Sequence, residues 1–265
     1  MIHDGKERTL STDAKVALVT GASKGVGKGI ALGLAKAGFD VAINFNSDRE
    51  GAEQTAQEVR QLGRRSWIVQ GDVGNQADVD RVFAELRQLT PALDVLVNNS
   101  GVQTWASLFD LTEKDWDRTI RTNLKGSFLC TQAAGRWMRE TGGGSIINIG
   151  SGANKAPFPN LIDYCASKGG IDQLTRVTAV ELGPFSIRVN CVAPGAIEIE
   201  RTRLENPDYA KTWGTITPLR RVGNVDDVAN AVIFFASDVS TFVTGQTLYV
   251  DGGLWTRGVW PYETS

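Results

Sequence analysis

A chain of 265 residues, 42% hydrophobic and 22% charged, is long enough to bury a large core without disulfides or metals to hold it. Its 28 Lys and Arg offset 30 Asp and Glu to a formal charge of −2, and no basic patch marks a nucleic-acid partner. The single histidine, His3, leaves Ser-His-Asp catalysis, histidine-ligated metals and imidazole acid–base chemistry without their central residue, so no metal site is expected.

Residues 1–14 have no apolar core that could serve as a signal peptide and read as a flexible lead-in. The first strand is expected at 15–20 (KVALVT), followed by a helix over 25–37. A second strand at 40–45 leads into a polar helix over 48–62, and 66–70, 76–89 and 94–98 continue the rhythm. Helical pattern runs through 111–140, then a strand at 145–149 and a helix over 164–182. Strands at 187–192 and 247–250 flank a helix at 226–236. Such alternation predicts βαβ units, hence one α/β domain spanning 1–265: a Rossmann-type, doubly wound parallel sheet with helices on both faces. The least regular stretch, 196–222, reads as a mobile lid over the substrate. No run of about 18 apolar residues spans a membrane. Cys130, Cys165 and Cys191 lack zinc spacing and are odd in number, which places the protein in a reducing compartment, the cytoplasm.

In doubly wound sheets ligands bind just past the carboxyl ends of the strands. Directly after the first strand stands Thr20-Gly21-Ala22-Ser23-Lys24-Gly25-Val26-Gly27. Glycines there permit a tight turn and close approach of a pyrophosphate, and the helix that follows aims free N–H groups at the anion. Gly29 would allow close helix–strand contact. A glycine-rich turn without a ligand is the plainer alternative, while a triphosphate P-loop is disfavoured because no Gly-Lys-Ser/Thr follows.

Tyr164 and Lys168 stand four apart, on one face of their predicted helix. A neighbouring ammonium favours phenolate, which makes a tyrosine hydroxyl usable as proton donor and acceptor at neutral pH. The same spacing also arises by chance in a chain of this composition. Ser151 lies just past a strand, as substrate ligand or ordinary turn residue. Asn123 falls mid-helix, where asparagine is a poor helix former, and reads either as solvent-facing or as a buried functional group.

With these motifs in this order, the chain resembles the short-chain dehydrogenase/reductases from about Lys15 to Gly253. The family's glycine loop matches Thr20–Gly27, its adenine-contacting Asp-Val matches Asp72-Val73, and its Asn-Asn-Ala-Gly matches Asn98-Asn99-Ser100-Gly101. Its Pro-Gly matches Pro194-Gly195, and its closing Asp-Gly-Gly matches Asp251-Gly252-Gly253. The catalytic Asn, Ser, Tyr and Lys fall on Asn123, Ser151, Tyr164 and Lys168. The resemblance implies that Tyr164 exchanges a proton with the substrate oxygen and that Lys168 favours its phenolate form and holds the nicotinamide ribose. Ser151 would orient the substrate, and Asn123 would hold a water that relays protons. A nicotinamide dinucleotide would rest on Gly21, Ser23, Lys24, Gly25, Val26 and Gly27, on Asn99, Ser100 and Gly101, and on Pro194, Gly195 and Ile197.

Members that prefer NAD usually carry an acid at the end of the second strand. Here Phe45 stands at that position, and Lys24, Asn46 and Ser47 could meet a 2′-phosphate, so NADP is the expected cofactor and NAD the alternative. Lys24 and Arg49 could equally be plain surface charges. Where many relatives have threonine, this chain has Ile199, which leaves the carboxamide to backbone groups near Ile197.

The resemblance is nearest to sugar dehydrogenases of the glucose 1-dehydrogenase type, with Gln103 and Trp105 expected as pocket walls. The lid charges Glu198, Glu200, Arg201 and Arg203 would bind hydroxyls or an acidic sugar, or else be solvated. A sugar or polyol oxidoreductase is thus the leading reading. A 3-oxoacyl-thioester reductase and a catalytically silent dinucleotide-binding sensor are the alternatives. Trp255, Trp260 and Tyr262 crowd the last eleven residues. Aromatics of this kind are enriched at interfaces, and relatives are commonly tetramers, so a homotetramer with this tail on a neighbouring subunit is expected; folding back on its own domain is the alternative.

Overall fold

Short β-branched runs form seven strands: β1 (Val16–Val19), β2 (Asp40–Phe45), β3 (Ser66–Gln70), β4 (Val95–Asn98), β5 (Gly144–Ile149), β6 (Ile187–Pro194) and β7 (Thr247–Val250). The computed structural model describes residues 14–256, and the expectation of a flexible 1–14 therefore lies outside the described residues except at Ala14. All seven strands are parallel, in the order β3-β2-β1-β4-β5-β6-β7. The chain order reverses at β1, where Leu18 pairs with Ala42 of β2 on one side and Leu96 of β4 on the other. That reversal opens the crevice at the carboxyl ends of β1 and β4.

The helices are α1 (Gly25–Lys36), α2 (Arg49–Gln61), α3 (Gln76–Leu89), α4 (Glu113–Ile120), α5 (Gly126–Thr141), α6 (Ile162–Leu182), α7 (Glu200–Glu205), α8 (Tyr209–Ile216) and α9 (Val225–Ala236). Strand side chains alternate between two faces, and both faces here are apolar because both are covered. Ala17, Val19, Ile43 and Val97 pack with Leu34 of α1, Ala56 of α2 and Phe235 of α9. Val16, Leu18, Leu96 and Ile146 pack with Phe83 of α3 and Trp137 of α5 on the other face.

The helical pattern over 111–140 divides into α4 and α5, joined by a π-helical turn, Arg121–Lys125. Two expectations are corrected. Gly29 serves α9 rather than a strand, since a Cβ there would fall 2.5 Å from Cβ of Val225, and Gly33 likewise clears Ala229. The 196–222 stretch, expected to be the least regular, folds into α7 and α8.

Burial pushes the Cys130 thiol up to about 12 and the Cys191 thiol up to about 11, so both are inert core residues. Among the described residues no His, Cys, Asp or Glu cluster could hold a metal ion, and no helix is long and apolar enough to cross a membrane.

Candidate active site

The turn after β1 takes its shape from glycine. Gly21 and Gly25 have φ of +61° and +57°, left-handed values that side chains other than glycine rarely adopt. Gly27 is needed for space, because a Cβ would lie 2.4 Å from the Gly21 carbonyl and from Asn99 Nδ2. The loop is held from the end of β4: Asn99 Nδ2 donates to the carbonyls of Thr20 (2.8 Å) and Gly21 (3.1 Å). Thr20 Oγ1 in turn accepts the N–H groups of Asn99 and Ser100. At the N-terminus of α1, Lys24 makes no side-chain cap and the first turn carries no acid. Free N–H groups, no competing carboxylate and glycines where the backbone must be bare are what a dinucleotide pyrophosphate requires, so these residues fit such a group.

At the end of β2 the structure revises one position. Phe45 is 1% exposed and belongs to the apolar core, so it is not available to read a ribose. The next residues, Asn46 and Ser47, are the exposed ones. Asp48, the first acid downstream, accepts from Gly51 N–H at 3.1 Å as the cap of α2, and that bond, aided by Lys24 at 3.6 Å, holds its carboxyl below the usual range. Lys24 itself is exposed and lies beside these residues. Asp72 is engaged by Arg121 (2.7 Å) and by Gly74 N–H (2.9 Å), and Val73 packs against Gly126 of α5.

Tyr164 and Lys168 sit one turn apart on α6, with the ammonium 5.5 Å from the phenol ring centre. Lys168 is 4% exposed, and its Nζ donates to the Ile149 carbonyl at 2.7 Å, which fixes it at the end of β5. Ser151 follows β5, where its Oγ accepts from Ala153 N–H at 3.2 Å and caps a short 3-10 turn. Asn123 occupies the π-helical turn and is fully buried. Its Oδ1 accepts from Val102 N–H (2.8 Å), and its Nδ2 donates to the Val102 carbonyl (2.9 Å) and to Ser167 Oγ (3.0 Å). An asparagine that disfavours a regular helix is thus placed where the helix is irregular, as π bulges at functional sites often are. It ties the loop after β4 to α6.

Ser151, Tyr164 and Lys168 converge on one cleft of about 270 Å³ at the carboxyl ends of β4, β5 and β6, which Asn123 supports from behind through Val102 without lining it. Gly101 and Gln103 line it from β4, Ser151 from β5, Tyr164 and Lys168 from α6, and Pro194, Gly195 and Ile197 from β6. Val26 and Asn99 join it to the glycine loop. Trp105 does not line it: the backbone of Ala106 is pinned to Asn160 (3.0 Å), and the indole next to it is 63% exposed.

The segment 196–216 adds lining residues to the cleft that no spacing rule identifies. Thr202 Oγ1 accepts from Ile199 N–H and donates to the Ile199 carbonyl, both at 2.9 Å, so a hydroxyl stands beside Ile199 at the cleft. Tyr209 of α8 also lines the cleft. Burial raises its phenol above the ordinary tyrosine range, with a backbone hydrogen bond from Ile197 working in the opposite direction, and it stays a neutral hydrogen-bonding group.

Trp255 makes contacts within its own chain. A Cβ on Gly152 would fall 1.8 Å from the indole Nε1, and Phe158 meets the indole edge-on at 5.2 Å. Phe158 in turn contacts Trp213, which contacts Tyr209, so the tail and the lid share one aromatic cluster. Trp260 and Tyr262 lie outside the described residues. Gly152→Ala should therefore cost about 1–3 kcal/mol by overpacking. Thermal unfolding of the single variants and of the Gly152→Ala/Trp255→Ala pair checks this: the loss on Gly152→Ala should shrink in the Trp255→Ala background. Independent, additive effects would place the clash elsewhere.

A family model described as enoyl-(acyl carrier protein) reductase matches residues 21–255. A curated relative, the 3-oxoacyl-(acyl-carrier-protein) reductase FabG of Staphylococcus aureus (strain N315), is 40% identical over 241 residues, which covers 91% of this chain and 98% of that one. Among solved structures, a gluconate 5-dehydrogenase from Burkholderia cenocepacia J2315 in complex with NADP and tartrate superposes with a TM-score of 0.87 at 36% identity, covering 94% of this chain and 98% of the other. An acetoin dehydrogenase from Enterobacter cloacae gives a TM-score of 0.86 at 35% identity over 96% of this chain and 100% of that one.

Proposed function

Because the chain belongs to the short-chain dehydrogenase/reductase family, as an oxidoreductase acting on alcohol and carbonyl groups, we propose that it is an NADP-dependent dehydrogenase of a sugar or polyol. The observation that carries this reading is the single cleft in which Ser151, Tyr164 and Lys168 face the polar side chains of Gln103, Thr202 and Tyr209. A substrate with oxygens on several carbons can bond to Gln103 and Tyr209 as well as to the catalytic groups, whereas a simple alkyl chain offers them no partner. The gluconate and acetoin dehydrogenases among the similar structures support it, since both named compounds carry oxygen on neighbouring carbons.

In this reading the bound dinucleotide supplies the hydride acceptor or donor. Tyr164 holds or releases the proton at its phenol oxygen, and the Lys168 ammonium, fixed by the Ile149 carbonyl, keeps a positive charge 5.5 Å from the centre of its ring. Ser151 orients the reacting oxygen, and the buried amide of Asn123 holds the loop after β4 at its distance from α6. Gly21 through Gly27 and Asn99 hold the pyrophosphate, with Pro194, Gly195 and Ile197 on the nicotinamide side. Three free cysteines suit a cytoplasmic protein, and a homotetramer remains the assembly we propose.

A panel of aldoses, sugar acids, polyols and an acetoacetyl thioester, each with NAD and NADP, tests the reading through nicotinamide absorbance. A sugar, polyol or sugar acid should give the highest kcat/KM, with NADP. The matched family model and the 40% identical FabG favour the thioester as the second reading, and highest turnover on it would replace the first.

Cofactor choice is tested at Asn46 rather than Phe45, where a carboxylate would be buried in the core. Asn46→Asp sets a negative charge where Lys24, Asn46 and Ser47 would meet a 2′-phosphate. Two like charges about 4 Å apart repel by about 1–4 kcal/mol in surface surroundings, so the NADP/NAD ratio of kcat/KM should fall about tenfold or more. An unchanged ratio would mean that the phosphate is read elsewhere.

A further inference from the structure

We infer that Arg201 of the lid recognises a carboxylate on the substrate, so that the preferred compound is a sugar acid or other polyhydroxy acid rather than a neutral polyol. This rests on the polyol reading above and narrows it. Among the described residues that line the cleft, the charged side chains are Lys168 and Arg201, and both are cations. Lys168 is buried and committed to the Ile149 carbonyl and to Tyr164. Arg201 is not committed in this way. Its ion-pair partner is Glu205, one turn along α7, at 3.7 Å with both side chains more than half exposed, a pairing of small energetic weight.

The nearby carboxylates leave the cleft to that cation. Glu198 lies 3.7 Å from Arg203 and does not line the cleft. Glu200 is not among the lining residues either. A neutral substrate would leave Arg201 with only its long, solvent-exposed pair to Glu205. A carboxylate would take a charge-assisted, bidentate pair that arginine is shaped to give. Gln103, Thr202 and Tyr209 offer neutral hydrogen-bonding groups for the remaining hydroxyls. The reacting carbon is then held between Tyr164 on α6 and Arg201 on α7.

The test uses D-gluconate and D-glucitol, which differ in carrying a carboxylate or a hydroxymethyl group at one end. With the wild-type protein and NADP, gluconate should have the higher kcat/KM. In Arg201→Gln the gluconate-to-glucitol ratio of kcat/KM should fall about 10- to 100-fold, chiefly through the KM for gluconate, and Arg201→Lys should recover part of it. Calorimetric titration of gluconate into the protein saturated with NADPH gives a readout free of turnover, and its affinity should fall in parallel. An unchanged ratio in Arg201→Gln overturns the inference while leaving the polyol reading in place. So does a rise in the NADP dissociation constant equal to the loss on gluconate, which would assign Arg201 to the cofactor. Turnover confined to the acetoacetyl thioester overturns both.

Discussion

Tyr164→Phe should lower kcat by about 10²- to 10⁴-fold, the usual cost of removing one acid–base group. The ring is kept, so its packing beside Lys168 survives, and the cofactor-binding loop after β1 is not touched. The dissociation constant for NADP, followed by quenching of protein fluorescence, should therefore stay within about twofold of the wild-type value. A variant that retained most of its turnover would move the proton transfer to another group.

Lys168→Ala should lose turnover on the same scale and should also weaken NADP binding by about tenfold or more. The difference follows from geometry. The ammonium is buried, and removing it takes away both the charge beside Tyr164 and the bond that fixes the end of β5, leaving the Ile149 carbonyl without its donor. Comparing kcat and the NADP dissociation constant for the two variants separates proton transfer from cofactor placement. Equal dissociation constants for Tyr164→Phe and Lys168→Ala would confine Lys168 to the acid–base step.

Periodicity carried most of the architecture, because both faces of a parallel sheet must be apolar and the strands accordingly read as short β-branched runs. Thr247–Val250 and Ser66–Gln70 match the strands read from the sequence, and α6 begins two residues earlier than the pattern indicated, at Ile162. The break between α4 and α5 was less legible, since the π-helical turn keeps the chain helical on both sides of Asn123 while shifting its phase. The glycine loop and the Tyr164–Lys168 spacing are local and could be read directly. Phe45 could not: the residue that ends a strand points inward or outward according to register, and here it points into the core.

What the lid contributes was the least accessible part. Thr202, Tyr209 and the stacking of Trp255 on Gly152 depend on how 196–216 and the tail fold back over the end of β5, and no local pattern encodes that approach. Trp105 shows the same problem in reverse. An aromatic close in sequence to Gln103 suited a pocket wall, yet the Ala106–Leu161 bridge fixes the adjoining backbone and the indole is solvent-exposed. A strand-to-helix glycine loop suggests a strand as the neighbour of Gly29, whereas the close partner of α1 at that point is Val225 of α9.

The most direct test of the account is a crystal structure of the protein with NADP and gluconate bound. It should place the pyrophosphate on residues 20–27 and the 2′-phosphate beside Lys24, Asn46 and Ser47. The nicotinamide should lie against Lys168, with a gluconate hydroxyl on Tyr164 and Ser151 and its carboxylate on Arg201. A dinucleotide bound away from the glycine loop, or a nicotinamide remote from Tyr164, would contradict the proposed reaction site.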